Sequence, residues 1–315
     1  MTPRMSRYQN LQILANNVSC KKNTIPLITI VTLLKNYIIL LALCFFTIVS
    51  YSQKHSLTSQ EQDTLNIWQL AKYDGASAFG GLAHAYTRPL HWDGEDWATF
   101  GFVVGGTALL YFVDDETSDF FLKQDGTSPN IAKEFGERFG SPQVAYGITG
   151  SVYLFGLFTK NERVRETGVL LISSATAVGL IQTVLKTTVG RSRPQNGEGK
   201  FAFKPFSGES GFRSFPSGHT ILSFTTAYAI SKQFKNPWVK AGIYTVGMIS
   251  PISRIVNGAH WLTDVALSIA ISIATVDAID NYLNGKNRYP GDPHKKGITW
   301  NINFGVGSMG IVGRF

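Results

Sequence analysis

Six apolar stretches of 11 to 18 residues run through the middle of this 315-residue chain, and they constrain its fold more than any other feature. All are rich in Gly, Ala, Ser and Thr, which suits close contact between helices. No repeat of 20 to 50 residues and no low-complexity tract separates them. We therefore predict an all-α fold, a bundle of about six apolar core helices within residues 96–285. The stretches are 98–113, 144–158, 168–185, 220–230, 241–252 and 265–276.

The two flanks of the bundle have a different character. Residues 53–95 are polar and rich in turn-forming residues, so we expect a separate polar N-terminal segment. Residues 286–315 begin as a basic linker, and from Ile298 to Val306 apolar and polar residues alternate with period two. That alternation predicts a short β-hairpin-like C-terminal tail, which we expect to pack on the bundle.

Residues 1–52 have the pattern of a signal peptide or targeting segment. An apolar run from Asn36 to Val49 follows Lys35 and ends at small and polar residues, which predicts cleavage after Ser52. An uncleaved anchor helix is the alternative. The segment holds five basic and no acidic residues, so most of the chain's net charge of +8 lies here. The charge therefore indicates export, and we expect no nucleic-acid partner.

Both cysteines, Cys20 and Cys44, also lie in this first segment. The remaining chain has no thiol, which excludes a disulfide framework, a zinc-thiolate site and a cysteine nucleophile there.

The relation of the bundle to a membrane has two interpretations. Only 168–185 reaches the roughly 18 uncharged residues typical of a membrane span. Basic loops at 159–167, 231–240 and 285–296 predict a cytoplasmic location for those loops. This arrangement conflicts with an export signal if every apolar stretch spans. Either one stretch does not span, or the domain is a soluble or peripheral bundle.

Three short motifs carry candidate chemistry. The first is Lys186, six residues and Arg193-Pro194; the second is Pro216-Ser217-Gly218-His219; the third is Ser253-Arg254, five residues, His260, three residues and Asp264.

The residue types in these motifs favour binding of a phosphate. Ser217 stands at a helix N-cap position, and Gly218 permits close approach of the backbone to an anion. Arg193, Arg254 and Lys186 supply donors suited to phosphate oxygens.

The two histidines suit a two-step phosphoryl transfer. His260 and Asp264 are four residues apart, so we expect them to share a helix face on which the carboxylate holds the imidazole. His219 would then act as the general acid for the leaving oxygen.

Each motif alone is weak evidence, and their order and spacing carry the argument. With 21 residues between Pro194 and Pro216 and 33 between His219 and Ser253, the chain resembles the phosphatidic acid phosphatase type 2 (PAP2) superfamily. That superfamily includes bacterial class A acid phosphatases and vanadium haloperoxidases. The resemblance covers Lys186 to Asp264, with every signature position filled.

The resemblance implies roles for all of these residues. His260 would attack phosphorus to form a phosphohistidine, Asp264 would orient it, and His219 would protonate the leaving group and then activate water. Neither a metal nor another cofactor is expected. The groups expected to bind the phosphoryl oxygens are Lys186, Arg193, Arg254 and the amides of Ser217 and Gly218.

We expect an exported, membrane-associated phosphatase of the cell envelope that faces the periplasm and hydrolyses a phosphomonoester or diphosphate, with a lipid phosphate as substrate. Support comes from the loop 186–213, which has six basic and two acidic residues. The alternatives are a soluble periplasmic acid phosphatase, a vanadate-dependent haloperoxidase, for which the chain is short, and a catalytically silent envelope protein.

Overall fold

The computed structural model describes residues 66–124, 126, 129–285 and 289, and the backbone of residues 299–305 and 308–314. All of these belong to one compact unit, Gln60–Phe315. The predicted signal segment, residues 1–52, lies outside the described residues.

The prediction of an all-α fold is confirmed. Five of the six apolar stretches lie within one α-helix each, and the first, 98–113, runs from α2 into a short 3₁₀ helix, Tyr111–Val113. Shorter helices connect some of them. The helices are α1 Ile67–Thr87, α2 Gly94–Leu110, α3 Asp114–Gln124, α4 Asn130–Phe139, α5 Pro142–Phe158, α6 Glu162–Val189, α7 Gly218–Ser231, α8 Pro237–Val256 and α9 Leu262–Gly285.

Helix α1 differs from the expectation of a polar, turn-rich segment over 53–95, because it is part of the bundle. It begins with a capping box, in which the Asn66 side chain accepts from the Gln69 amide at 2.8 Å and the Gln69 side chain accepts from the Asn66 amide at 2.9 Å. It packs against α6 and α9. Of its buried residues only Leu70 is a large apolar one, the others being Asp74, Ser77 and Gly81. Hydropathy therefore gives no signal for this helix.

Helix α6 forms the centre of the core. Its buried residues Val169, Leu170 and Leu171 pack with Ala229 of α7 and with Val276, Ile279 and Leu283 of α9. Glycines allow α5 and α6 to approach closely: a Cβ added at Gly168 would lie 2.6 Å from the Cα of Tyr153. The abundance of small residues in the apolar stretches thus has a direct packing role.

A buried ion pair joins α1 to α6. Arg165 donates to both carboxylate oxygens of Asp74, at 2.9 and 2.8 Å, and both residues are almost fully buried. The hydroxyls of Tyr153 and Tyr289 donate to the same carboxylate. Arg165 therefore does not belong to a solvated basic loop at 159–167, and it drops out of the positive-inside argument.

Three helical segments in the described part of the chain are long and apolar enough to cross a membrane: Gly94–Gln124, Glu162–Val189 and Leu262–Gly285. The first and third segments join 168–185 as candidate spans because their helices extend beyond their uncharged runs. The first segment, formed by α2 and α3, carries exposed Phe102, Leu109 and Phe112. Large apolar side chains grouped on an exposed helix are typical of a surface that meets lipid. The protein is membrane-associated.

In the tail, strands β1 Thr299–Gly305 and β2 Ser308–Arg314 pair antiparallel, with Thr299 opposite Arg314 and Gly305 opposite Ser308. Their side chains lie outside the described residues, so the packing of this tail on the bundle stays a prediction.

Candidate active site

A cavity of about 530 Å³ lies where α6, α7 and α8 approach the turn before α9, and it collects most of the predicted site residues. Six of the eight line its wall; Ser217 and Asp264 do not. The six are Lys186, Arg193, Gly218, His219, Arg254 and His260.

The end of α6 places the first motif at this cavity. Gly190 closes the helix in the left-handed conformation, with φ of 58°, and the backbone of Lys204 occupies the place that a Cβ would take. Lys186 donates from Nζ to the carbonyl of Arg213 at 2.8 Å, and Arg193 donates from Nε to the carbonyl of Ser210 at 3.2 Å. Each cation thus uses one donor to fix the loop, and its other donors remain for a ligand.

The cavity carries an excess of positive charge. Among the described residues, Glu137 is the only carboxylate within ion-pair distance of Lys186, Arg193 or Arg254, and it lies 4.0 Å from Arg254. Its side chain is 68% exposed, so it compensates the charge weakly. Three cations facing one cavity with so little acid form a site for an anion.

His260 lies on the turn between α8 and α9, with its ring buried. Its Nδ1 is 2.6 Å from the carbonyl oxygen of Ser214. Because a carbonyl can only accept, Nδ1 carries the proton and Nε2 keeps its lone pair. Burial lowers the pKa of His260 well below its usual range, and Lys186 and Arg193 lower it further. The ring is neutral, the state that a nucleophile needs.

Asp264 differs from the sequence expectation. It lies in the first turn of α9, but His260 precedes that helix, so the two do not share a helix face. The carboxylate is 3.9 Å from Nδ1 of His260, beyond hydrogen-bond distance. It instead accepts from the hydroxyl of Ser214 at 2.5 Å and from the amide of Trp261 at 3.0 Å. Asp264 therefore holds the segment whose carbonyl binds His260.

Sequence reasoning missed the group that holds Asp264. Arg191 donates to Asp264 at 2.6 Å and to Asp114 at 2.8 Å, and all three side chains are buried. Asp114 also accepts from the amide and the hydroxyl of Thr263, at 3.0 and 2.6 Å. The rings of Tyr111 and Trp261 flank the guanidinium, with centroids at 4.8 and 5.3 Å.

The acidic run Asp114-Asp115-Glu116, which follows the first apolar stretch, is the sequence signal available for Asp114. Arg191 was visible only as one of several cations in the loop 186–213. In that loop Lys200 also pairs with Asp115, and Lys204 with Glu209, so less of its charge faces the cavity than composition suggests.

His219 lies in the first turn of α7, close to Gly140, where an added Cβ would lie 2.6 Å from the Cβ of His219. Burial lowers the pKa of His219 to about 4, and the positive charge of Arg254 contributes to this shift. At neutral pH the ring is therefore uncharged in the empty site.

Of the residues Ser217 and Gly218, only Gly218 lines the cavity. Ser217 is the N-cap residue of α7, as predicted, but its amide donates to the hydroxyl of Ser268 at 2.9 Å, and its own hydroxyl accepts from Thr220 at 2.9 Å. The side chain is fully buried, so the expectation that its amide binds phosphate is not met. Gly218 does line the cavity.

Within the ranges that the structure describes, no group of three or more His, Cys, Asp and Glu residues could hold a metal ion. Independence from metal stays a prediction.

A family model of the PAP2 superfamily matches residues 167–287, which include every motif residue from Lys186 to Asp264. The resemblance to PAP2 proteins is confirmed over these residues.

Curated relatives and a solved structure are also similar to part of this chain. Lipid A 1-phosphatase of Rhizobium etli is 35% identical over 108 residues, 33% of this chain and 44% of the relative. The enzyme of the same name from Porphyromonas gingivalis is 31% identical over 116 residues, 35% of this chain and 23% of the relative. The chain therefore spans less than half the length of these relatives. The crystal structure of LpxE from Aquifex aeolicus matches with a TM-score of 0.37 and 22% identity, covering 51% of this chain and 93% of that one.

The contacts of Arg191 generate a prediction about stability. Asp114→Asn leaves a buried guanidinium without one of its two carboxylates, so we expect a loss of about 3 kcal/mol in the free energy of unfolding, since removing one partner of a buried ion pair is costly. Asp115→Asn is the matched control, because Asp115 is the next residue and 52% exposed. Thermal unfolding of both variants in detergent tests this, and equal unfolding temperatures for the two would contradict it.

Proposed function

We propose that this protein is a membrane-associated phosphatase of the cell envelope that hydrolyses a phosphomonoester or diphosphate of a lipid, through a phosphohistidine at His260. The observation that carries the proposal is one cavity in which two imidazoles face three cations, with one exposed carboxylate nearby. Such a site binds a phosphoryl group and offers both a nucleophile and a proton carrier.

In the first step, Nε2 of His260 attacks phosphorus, and the bond between phosphorus and the leaving oxygen breaks. Lys186, Arg193, Arg254 and the amide of Gly218 bind the non-bridging oxygens and stabilise the charge of the transition state. The hydrogen bond from Nδ1 to Ser214 stabilises the positive charge that develops on the ring.

His219 donates the proton to the leaving oxygen. Its pKa of about 4 in the empty site means that it must gain this proton when substrate binds. A bound phosphate dianion offsets the positive charge of Arg254, the next cause of the low pKa after burial, and so raises the pKa of His219 on binding. In the second step His219 takes a proton from water, which attacks phosphorus and releases phosphate and free His260.

Two findings support a lipid as the substrate. The matched relatives are named lipid A 1-phosphatases, and three helices are long and apolar enough to cross a membrane. The exposed apolar side chains of α2 also argue against the alternative of a soluble periplasmic acid phosphatase.

Purified protein in detergent tests the activity. We expect release of phosphate from one or more of lipid A 1-phosphate, phosphatidate and isoprenyl diphosphate, inhibition by vanadate, and no loss with a chelator. His260→Ala should lower kcat by at least about a thousandfold because it removes the nucleophile. His91→Ala is the control, since His91 is an exposed residue remote in sequence from the motifs. Turnover by His260→Ala, or loss of activity with a chelator, would contradict the mechanism.

We further propose that the site faces the periplasm. If the three candidate segments span and α7 and α8 either both cross or both do not, the loops 190–217 and 257–261 lie on one side of the membrane. Residues 136–142 lie on the same side, because Glu137 is 4.0 Å from Arg254 and Gly140 contacts His219. Helix α5 then crosses as well and places Lys160 on the other side, where it follows the positive-inside rule.

Single-cysteine labelling in intact cells tests this orientation. With Cys20 and Cys44 replaced, Gly208→Cys should react with a membrane-impermeant maleimide, because a side chain at Gly208 meets no atom within 4 Å and the loop faces outward. Lys235→Cys, an exposed position between α7 and α8, tests the opposite side if both helices cross. Protection of Gly208→Cys until the cells are permeabilised would place the site in the cytoplasm.

A further inference from the structure

We infer that the part of the cavity beyond the cations is a subsite for the leaving group, built from Gln182, Tyr146 and Thr176. It selects phosphate esters of alcohols that carry hydroxyl or carbonyl oxygens near the phosphoester, as glycosyl and glyceride lipids do, over plain isoprenyl chains. This inference rests on the proposed phosphatase function, because it concerns the alcohol that the reaction releases.

The first observation is unused hydrogen-bonding capacity. Gln182, Tyr146 and Thr176 all line the cavity, and none of their side chains makes a hydrogen bond within the described part of the protein. Thr183 on the same wall differs, since its hydroxyl donates to the carbonyl of Gly179 at 2.8 Å. Among the described residues, three polar side chains on one cavity wall thus have no internal partner, whereas the donor of a fourth is used by the backbone.

The second observation is their order along α6. Gln182 precedes Lys186 by one turn, about 6 Å along the helix axis, and Thr176 lies about 15 Å from Lys186. Tyr146 falls between them, because its hydroxyl is 3.7 Å from the place of a Cβ on Gly179. The polar groups therefore form a row that leads away from the phosphate-binding cations.

The third observation places Gln182 against Gly218, the residue before the general acid. The amide nitrogen of Gln182 is 2.6 Å from the position that a Cβ on Gly218 would occupy, and His219 is the next residue. The alcohol oxygen that His219 protonates thus leaves next to the amide of Gln182. A hydroxyl or carbonyl on the neighbouring carbons of that alcohol meets this amide first, then Tyr146 and then Thr176.

The chemistry of the subsite explains the selection. A glycosyl or glyceride leaving group has oxygens that replace the water bound to these side chains, whereas an unbranched or isoprenoid hydrocarbon displaces that water and returns no hydrogen bond. Sites that hydrogen-bond a substrate discriminate strongly against an analogue that lacks the bonding group. We expect a preference of at least about tenfold in kcat/KM.

Steady-state kinetics of the full-length protein in detergent test the subsite. Four substrates are compared: lipid A 1-phosphate, phosphatidate, an isoprenyl phosphate and a small aryl phosphate. We expect kcat/KM to be highest for one or both of the first two, which separates glycosyl from glyceride leaving groups. Gln182→Leu should lower kcat/KM on the preferred lipid about tenfold and change the aryl phosphate less than twofold.

Thr183→Val is the matched control, because the Thr183 hydroxyl is committed to the backbone; we expect it to leave the preference unchanged. Tyr146→Phe removes one hydroxyl from a side chain that is 44% exposed, and it provides a second variant if Gln182→Leu does not fold.

A wild-type preference for isoprenyl phosphate, or an equal loss on the aryl phosphate in both variants, would overturn the subsite while leaving the phosphatase function intact. Absence of all four activities would overturn the proposed function and the subsite with it.

Discussion

The buried guanidinium of Arg191 is the interaction on which the candidate site depends. It contacts Asp114 at the start of α3 and Asp264 in the first turn of α9, so two helices distant in sequence are fixed to the loop that follows α6. Buried charges of this kind are costly unless every partner is in place. Here the partners include Thr263 and two aromatic rings, and Asp264 in turn fixes Ser214. Arg191 thus acts on the orientation of His260 through two intervening residues, Asp264 and Ser214.

Some cations around the candidate site have buried carboxylate partners, and others do not. Arg191 has two buried carboxylates, whereas Lys186, Arg193 and Arg254 have, within the described residues, only the exposed Glu137 within ion-pair distance. Burial and these cations lower the pKa of both His219 and His260, so the histidines are neutral in the empty site. An anion that enters supplies the missing negative charge and raises the pKa of His219. Binding and the proton inventory of the reaction are therefore coupled.

The sequence predicted the six apolar helices and the convergence of Lys186, Arg193, His219 and His260, because hydropathy and motif spacing are local properties. It did not predict helix α1, whose buried face is made of Asp74, Ser77 and Gly81 with a single large apolar residue. It also assigned Asp264 to the imidazole and the Ser217 amide to the ligand. Both groups have other partners, Ser214 and Ser268, that are brought near only by the tertiary fold. Pairings between distant residues, such as Asp114 with Arg191, have no signature in a single sequence.

The central claim is that His260 carries the phosphoryl group, and a phosphoenzyme trap tests it most directly. Protein mixed with substrate labelled with ³²P and quenched in alkali should retain label that is stable to base, labile to acid and located by peptide mapping at His260. The label should be absent from His260→Asn and should accumulate in His219→Asn, if His219 activates the water of the second step. Label on another residue, or full turnover with no labelled protein in either wild type or His219→Asn, would contradict the account.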